Sequence, residues 1–183
     1  GFSLNRQFGP ENWTLYKGKH LLSFADNHDV TRVASILTEP RHLKPLYGLL
    51  FGMPGIPCIY YGSEWGAQGK KQDGDPALRP CFEAPQENEL TQWISNCAKA
   101  FSSSKALQYG GYKNLMQTNH QLIFERCYEG SRVLVAINAS SEPYHAHFDA
   151  QAGRARDLIT GEVHDFGGGS ELPPFFAAFW EVF

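Results

Sequence analysis

His20-Leu21-Leu22-Ser23-Phe24-Ala25-Asp26-Asn27-His28-Asp29 is the stretch from which the fold is read. It opens as a run of strand length, apolar enough to be buried, and it closes in Asn27-His28-Asp29. A second such run, Ile56-Pro57-Cys58-Ile59-Tyr60-Tyr61, ends in Gly62-Ser63-Glu64. Polar groups placed just past the carboxyl ends of buried strands are the arrangement of the catalytic rim of a β/α barrel. The two rims are separated by about one βα unit, roughly 30 residues or more.

The intervening sequence supports that spacing. Arg41 to Met53 carries Leu43, Leu46, Tyr47 and Leu50 on one helical stripe, and Met53-Pro54-Gly55 stops the helix. After the second run comes a long polar loop, residues 66–88, of the kind that usually serves function. An amphipathic helix then spans Glu89 to Ser102, with Leu90, Trp93, Ile94, Cys97, Ala98 and Phe101 on its apolar face. Residues 1–19 are polar and aromatic and read as a lead-in to the first strand.

Past Leu107 the pattern changes. Gln121–Tyr128 and Arg132–Ala139 flank Glu129-Gly130, a hairpin turn. Tyr144–Phe148, Asp157–Gly161 and the apolar end Phe175–Phe183 read as further short strands, with Gly167-Gly168-Gly169 as a loop. Strands at this spacing without a helical period indicate an antiparallel sandwich or barrel. The expected division is residues 1–106 for the βα units and 107–183 for the all-β part.

Composition narrows the function classes. A net charge of −3, with no run of like charges, gives nucleic acid no footprint to bind. No apolar stretch reaches the length of a membrane span, and Gly1-Phe2-Ser3-Leu4-Asn5 lacks the pattern of a signal peptide. Cys58, Cys81, Cys97 and Cys127 form no C-x-x-C pair, so free thiols, buried at Cys58 and Cys97, are expected; this favours a reducing compartment such as the cytoplasm. No helical H-x-x-x-H or cysteine cluster accompanies the histidine and carboxylates, so neither a metal nor another cofactor is expected. Aromatic content of 14% serves either a rich core or sugar stacking, and Tyr61 is the candidate for stacking.

Phe24-Ala25-Asp26-Asn27-His28-Asp29 resembles the F-x-x-N-H-D segment at strand seven of glycoside hydrolase family 13, the alpha-amylase family. Gly55 to Glu64 is similar to that family's G-x-P-x-x-Y-Y-G-x-E segment at strand eight, and Asp75-Pro76-Ala77-Leu78-Arg79-Pro80 to its D-P-x-x-R-P loop. The three occur in the family's order and spacing. The resemblance implies an α/β plus all-β fold: the last two βα units of a (β/α)8 TIM barrel, followed by the antiparallel β-sandwich called domain C.

The family's chemistry gives each residue type a task. Retaining glycoside hydrolysis uses a nucleophilic carboxylate and an acid/base carboxyl, and its transition state resembles an oxocarbenium ion. Hydrogen bonds to the sugar 2-hydroxyl strengthen as that charge develops. The resemblance makes Asp29 the third carboxylate, a transition-state stabiliser. It makes His28 and Asn27 ligands of the same sugar. Asp75 and Arg79 become a pair holding a sugar further out, away from the cleaved bond. Arg32 would orient Asp29 or touch substrate, and Glu64 would be a buried structural carboxylate. The implied partner is an α-glucan or maltooligosaccharide.

The family's nucleophile segment, G-x-R-x-D, and its acid segment are expected before strand seven, yet neither occurs in residues 1–23. Gly161-Glu162-Val163-His164 is read as a turn of the all-β part. The chain alone is therefore expected to be inactive, to need the remaining N-terminal barrel as a partner, and to self-associate through uncovered apolar edges. The alternative reading is a non-catalytic amylase-like domain used for carbohydrate binding or assembly. Hydrolases, transglycosylases and isomerases of the family share these residues, so the choice among them stays open.

Overall fold

The computed structural model describes residues 2–183; Gly1, the first residue of the lead-in, lies outside them. The first half contains helix α1 (Phe2–Phe8), strand β1 (Leu22–Phe24), helix α2 (Val33–Ile36), helix α3 (Leu43–Gly52) and strand β2 (Ile56–Cys58). Helices α4 (Asp75–Leu78), α5 (Glu89–Ser103) and α6 (Lys105–Tyr109) complete it. The second half is built from β3 (Gly111–Gln117), β4 (Gln121–Tyr128), β5 (Ser131–Asn138), β6 (Tyr144–Ala146), β7 (Arg154–Asp157), β8 (Val163–Asp165), β9 (Ser170–Leu172) and β10 (Phe176–Val182).

β1 and β2 pair in parallel, Leu22 with Ile56 and Phe24 with Cys58. Both strands are shorter than their apolar runs, and they are not buried: Leu22, Phe24 and Ile56 are exposed. The cause is a lack of neighbours. Among the described residues each has one partner strand, so the sheet offers no further ladder and no cover for its outer side chains. The lead-in holds a helix that its sequence did not announce. α1 forms because Phe8 is buried and Leu4 packs on the same core, a tertiary stabilisation invisible in a seven-residue window.

α3 begins two residues later than its stripe suggests, because Pro40–His42 forms a tight 3-10 turn capped by the Glu39 carboxylate. α5 matches its stripe closely. It starts at a capping box in which the Asn88 side chain accepts from the Thr91 amide and the Thr91 hydroxyl answers the Asn88 amide.

The second half forms a six-stranded antiparallel sheet in the order β3-β4-β5-β10-β7-β8, with β6 and β9 as a separate pair. The β4–β5 hairpin turns at Glu129 and Gly130, both at positive φ (47° and 85°), the condition of a tight two-residue turn. The short strand expected from Asp157 instead ends there. Asp157 closes β7, and its carboxylate accepts the Ile159 amide to start the turn.

Alternation along the central strands divides the interior in two. Leu122, Phe124, Val133, Val135, Ile137, Ala177 and Phe179 face the helices, sharing a core with Tyr47, Leu50, Ile94, Cys97 and Leu107. Ile123, Leu134, Ala136, Ala178 and Trp180 face the outer strands and meet Ala146 and Leu172. α3 lies very close to the sheet. A Cβ at Gly48 would collide with the Ala177 side chain, and one at Gly52 would come within 2.6 Å of Val135. Arg126, 1% exposed, pins the same junction by donating to the carbonyls of Gly52 (2.7 Å) and Gly110 (2.8 Å). Its burial without a carboxylate pushes the guanidinium down to about 9, still protonated at neutral pH.

Candidate active-site rim

Asn27, His28 and Asp29 occupy the turn just past β1. The Asn27 side-chain oxygen accepts the Asp29 amide at 2.8 Å, an Asx turn that sets the direction of the Asp29 side chain. Asp26, which the sequence reading passed over, is 2% exposed. One of its carboxylate oxygens accepts the Val33 amide at 2.8 Å and so tethers the start of α2. The Ser63 hydroxyl donates to the same carboxylate at 2.8 Å, joining the two strand ends.

Arg32 lies beneath the rim rather than on it. It is 0% exposed, and it makes no hydrogen bond to Asp29. Its guanidinium donates to the Tyr61 carbonyl (2.6 Å), the Ser63 hydroxyl (3.1 Å) and the Leu78 carbonyl (3.0 Å), and sits 4.2 Å from the centre of the Tyr60 ring. Arg32, Ser63 and Asp26 thus form a buried relay of opposite charges with a hydroxyl between them. Such a relay holds three loops in register, because breaking it would strand a buried charge.

Above the relay the exposed groups converge. Arg79, at the end of α4, places a guanidinium nitrogen 3.3 Å from Asp29 Oδ1, and its Nε lies 3.5 Å from the His28 carbonyl. Asp75 is the more distant partner, at 3.9 Å. The expected Asp75–Arg79 pair is therefore part of a bridge, with Arg79 between two carboxylates and nearer to Asp29. The His28 Nε2 lies 3.2 Å from Asp29 Oδ2 on the other side. Asp29 is 64% exposed and Arg79 46%, so these contacts are screened and add well under ~1 kcal/mol of stability each. Their effect is to aim the groups.

Tyr61 is 43% exposed. Its hydroxyl donates to the Pro80 carbonyl at 2.9 Å, and its ring meets Tyr60 and Phe82 edge-on. The Glu64 Oε2 is buried with no hydrogen-bond partner among the described residues. The Glu64 backbone carbonyl accepts from the Thr91 hydroxyl at 3.0 Å. All four cysteines are free; Cys97 is buried and Cys58 half-buried, but Cys81 and Cys127 are exposed. Among the described residues no group of three or more His, Cys, Asp or Glu side chains is placed to hold a metal ion, and no helix is long and apolar enough to cross a membrane. Hollows of about 330 Å³ and 400 Å³ lie elsewhere, the first between the N-terminal segment and the sheet.

Comparison with known families decides the identity. Residues 10–122 match the model of the alpha amylase catalytic domain, and residues 112–177 match that of the alpha amylase C-terminal all-beta domain. The chain belongs to the alpha-amylase family. A cyclomaltodextrin glucanotransferase of Bacillus sp. (strain 6.6.3) is 28% identical over 149 residues, 81% of this chain and 20% of that protein. An Anoxybacillus alpha-amylase structure superposes with a TM-score of 0.80 at 26% identity, covering 89% of this chain and 38% of that one. The structure of the gamma-CGTase from alkalophilic Bacillus clarkii gives 0.73 at 28% identity, covering 87% of this chain and 26% of that one. This alpha-amylase family chain spans about a fifth of the length of the first of these relatives. Its two halves are the end of the catalytic domain and the all-β C-terminal domain, as the strand pattern implied.

Proposed function

We propose that this chain supplies the last two βα units and domain C of an enzyme that cleaves or transfers α-glucosidic bonds in maltodextrin-like glucans. The proposed division, residues 1–106 and 107–183, passes through α6 (Lys105–Tyr109), just ahead of β3. The observation that carries this reading is the convergence of Asp29, His28 and Arg79 past the ends of two parallel strands. A nucleophilic carboxylate and an acid/base carboxyl come from the barrel strands upstream of this chain. The nucleophile attacks the anomeric carbon while the acid gives its proton to the departing oxygen, and the configuration is retained. Asp29 accepts hydrogen bonds from the sugar hydroxyls, which sharpen as positive charge grows on the ring. His28 donates to hydroxyls of the same sugar, and Asn27 fixes the turn. Arg79 holds the Asp29 carboxylate in place and, with Asp75, meets the next sugar along the chain. Arg32 acts through the loops it ties together.

Hydrolysis and glucan transfer differ in whether water or a sugar hydroxyl opens the glycosyl-enzyme, and the rim residues serve both. A binding or assembly role without catalysis has no chemical need for a carboxylate flanked by imidazole and guanidinium on an open rim. The apolar faces of β1 and β2 are covered by the upstream barrel; left uncovered, they drive self-association. The test is direct. The 183-residue chain alone should turn over neither maltoheptaose nor a nitrophenyl α-glucoside, whereas the protein that includes an upstream G-x-R-x-D segment should do so. Turnover by the chain alone, abolished by Asp29→Asn, overturns the reading; so does an inactive complete protein.

A further inference from the structure

We propose that the hollow at the amino ends of β1 and β2 binds a small phosphate ester with a ring-sized body, at a site separate from the rim. The proposal stands apart from the glucan reading, because the two sites lie at opposite ends of the same strands.

The hollow holds about 330 Å³, a volume within the range of small-ligand sites. Its place follows from the order of the chain. His20 precedes β1, and Pro54 and Gly55 precede β2, whereas Asn27-His28-Asp29 and Ser63 follow their carboxyl ends. Residues Gly111 to Lys113 of β3 and Glu125 to Cys127 of β4 close it on the side of the sheet.

The inner wall carries polar groups with unused capacity. The β3–β4 register sets Tyr112 directly opposite Arg126, so both side chains project from the same face of the sheet. Arg126 donates its Nε to the Gly110 and Gly111 carbonyls, Nη1 to Gly52 and Nη2 to Gly110. Each terminal nitrogen keeps a further N–H with no acceptor among the described residues. The Tyr112 hydroxyl is buried and has no hydrogen-bond partner there at all. Burial pushes its pKa up to about 12, so it remains a donor at neutral pH. A strut needs only the carbonyls that Arg126 already holds. It gives no reason for an unpaired phenol beside it, and an unpaired buried donor is a cost that an incoming acceptor removes.

The outer wall adds charge and apolar surface. Lys17 and Lys19 border the hollow, and neither forms an ion pair among the described residues. Lys17 is tied to the Pro10 carbonyl, whereas the Lys19 ammonium makes no hydrogen bond there. The one carboxylate on the wall, Glu125, pairs in register with Lys113 and alternates to the opposite face, where it takes the Arg132 Nε at 2.7 Å. Phe8, Tyr16 and Tyr109 supply rings, the two tyrosines exposed. Guanidinium, phenol and ammonium together offer more donors than a carboxylate can accept. A phosphate brings further acceptor oxygens and a larger charge, and the rings cover the body esterified to it.

Isothermal titration of the complete protein with glucose 6-phosphate and with AMP tests the site, with inorganic phosphate and glucose as controls. We expect one of the two esters to saturate a single site with a Kd of about 1 mM or below, at least about tenfold tighter than either control. The ester that binds names the source of the body, a sugar or a nucleoside. Lys19→Gln and Tyr112→Phe should each weaken its binding by about three- to tenfold. Lys99→Gln, on the exposed side of α5, should leave it unchanged. Arg126 stays intact throughout, because its loss opens the junction between α3 and the sheet, and thermal melts confirm that the variants are folded. No saturable binding of either ester, the result if the upstream barrel fills the hollow, overturns the proposal. So does an ester held no more tightly than inorganic phosphate, or an affinity that neither Lys19→Gln nor Tyr112→Phe moves.

Discussion

β1 leaves Leu22 and Phe24 60% and 46% exposed, while every residue of β5 from Val133 to Asn138 is buried. The residue types differ little; the partners differ entirely. β5 lies between β4 and β10, with helices on one face and the outer strands on the other. β1 has β2 and nothing else among the described residues. A buried apolar side chain contributes roughly 1.5–3 kcal/mol and an exposed one nothing, so the stability of this chain resides in the sheet and the helices on it. The rim is carried on that foundation without adding to it.

If labour is divided in this way, the strongest test is Asp29→Asn in the complete protein. Loss of one preorganised contact to the transition state should lower kcat by about 10²–10³-fold. Stability should move by no more than about 0.5 kcal/mol, because the side chain is exposed. Steady-state kinetics alongside a thermal melt checks both; a lowered Tm with normal kcat would erase the distinction between rim and foundation. The reverse case is Gly48→Val, where the new side chain drives α3 off Ala177. Overpacking should cost about 2–3 kcal/mol in urea unfolding. Gly111→Ala, with open space around its Cβ, is the neutral control.

Arg79→Ala sharpens the comparison within the rim. A pair remote from the cleaved bond would affect KM alone. The contact with Asp29 predicts instead that kcat falls as well, for a combined loss in kcat/KM of about tenfold. An unchanged kcat would return Arg79 to a purely outer role. The smallest effect belongs to His145 in β6. The hydrogen bond to Glu171, and then the Gly168 carbonyl, raise its pKa above 6.5. The folded state therefore favours the protonated ring. That stabilisation is complete below about pH 6.5 and is lost as pH rises through the raised midpoint. NMR titration should place the His145 midpoint above 6.5, and Glu171→Gln should return it toward that value.

The sequence announced whatever its local chemistry enforces. Glu129-Gly130 favours a tight turn, the stripe from Leu90 to Phe101 favours one helix face, and Asn27-His28-Asp29 follows the strand its apolar run forms. It did not reveal contacts made across loops. Arg79 and Asp29 meet across 50 positions, and Arg32 reaches Leu78 across 46. Nothing in a lone arginine tells an exposed ligand from a buried strut; the distinction comes from Asp26 and Ser63, short polar residues at two strand ends that close over it. Exposure of β1 was equally illegible, since an apolar run specifies the need for cover and not its source.

Gly48 and Gly52 carry a consequence for how such chains can be re-engineered. They sit one turn apart on α3 and let its backbone settle into the sheet at Ala177 and Val135. The C-terminal domain is therefore not an interchangeable cassette. Transplanted onto a barrel whose corresponding helix bears larger side chains at those two positions, its sheet would be held off and its core opened, whatever the linker. Successful chimaeras should exchange α3 together with the sheet, so the useful crossover point lies upstream of residue 43 and not between α6 and β3.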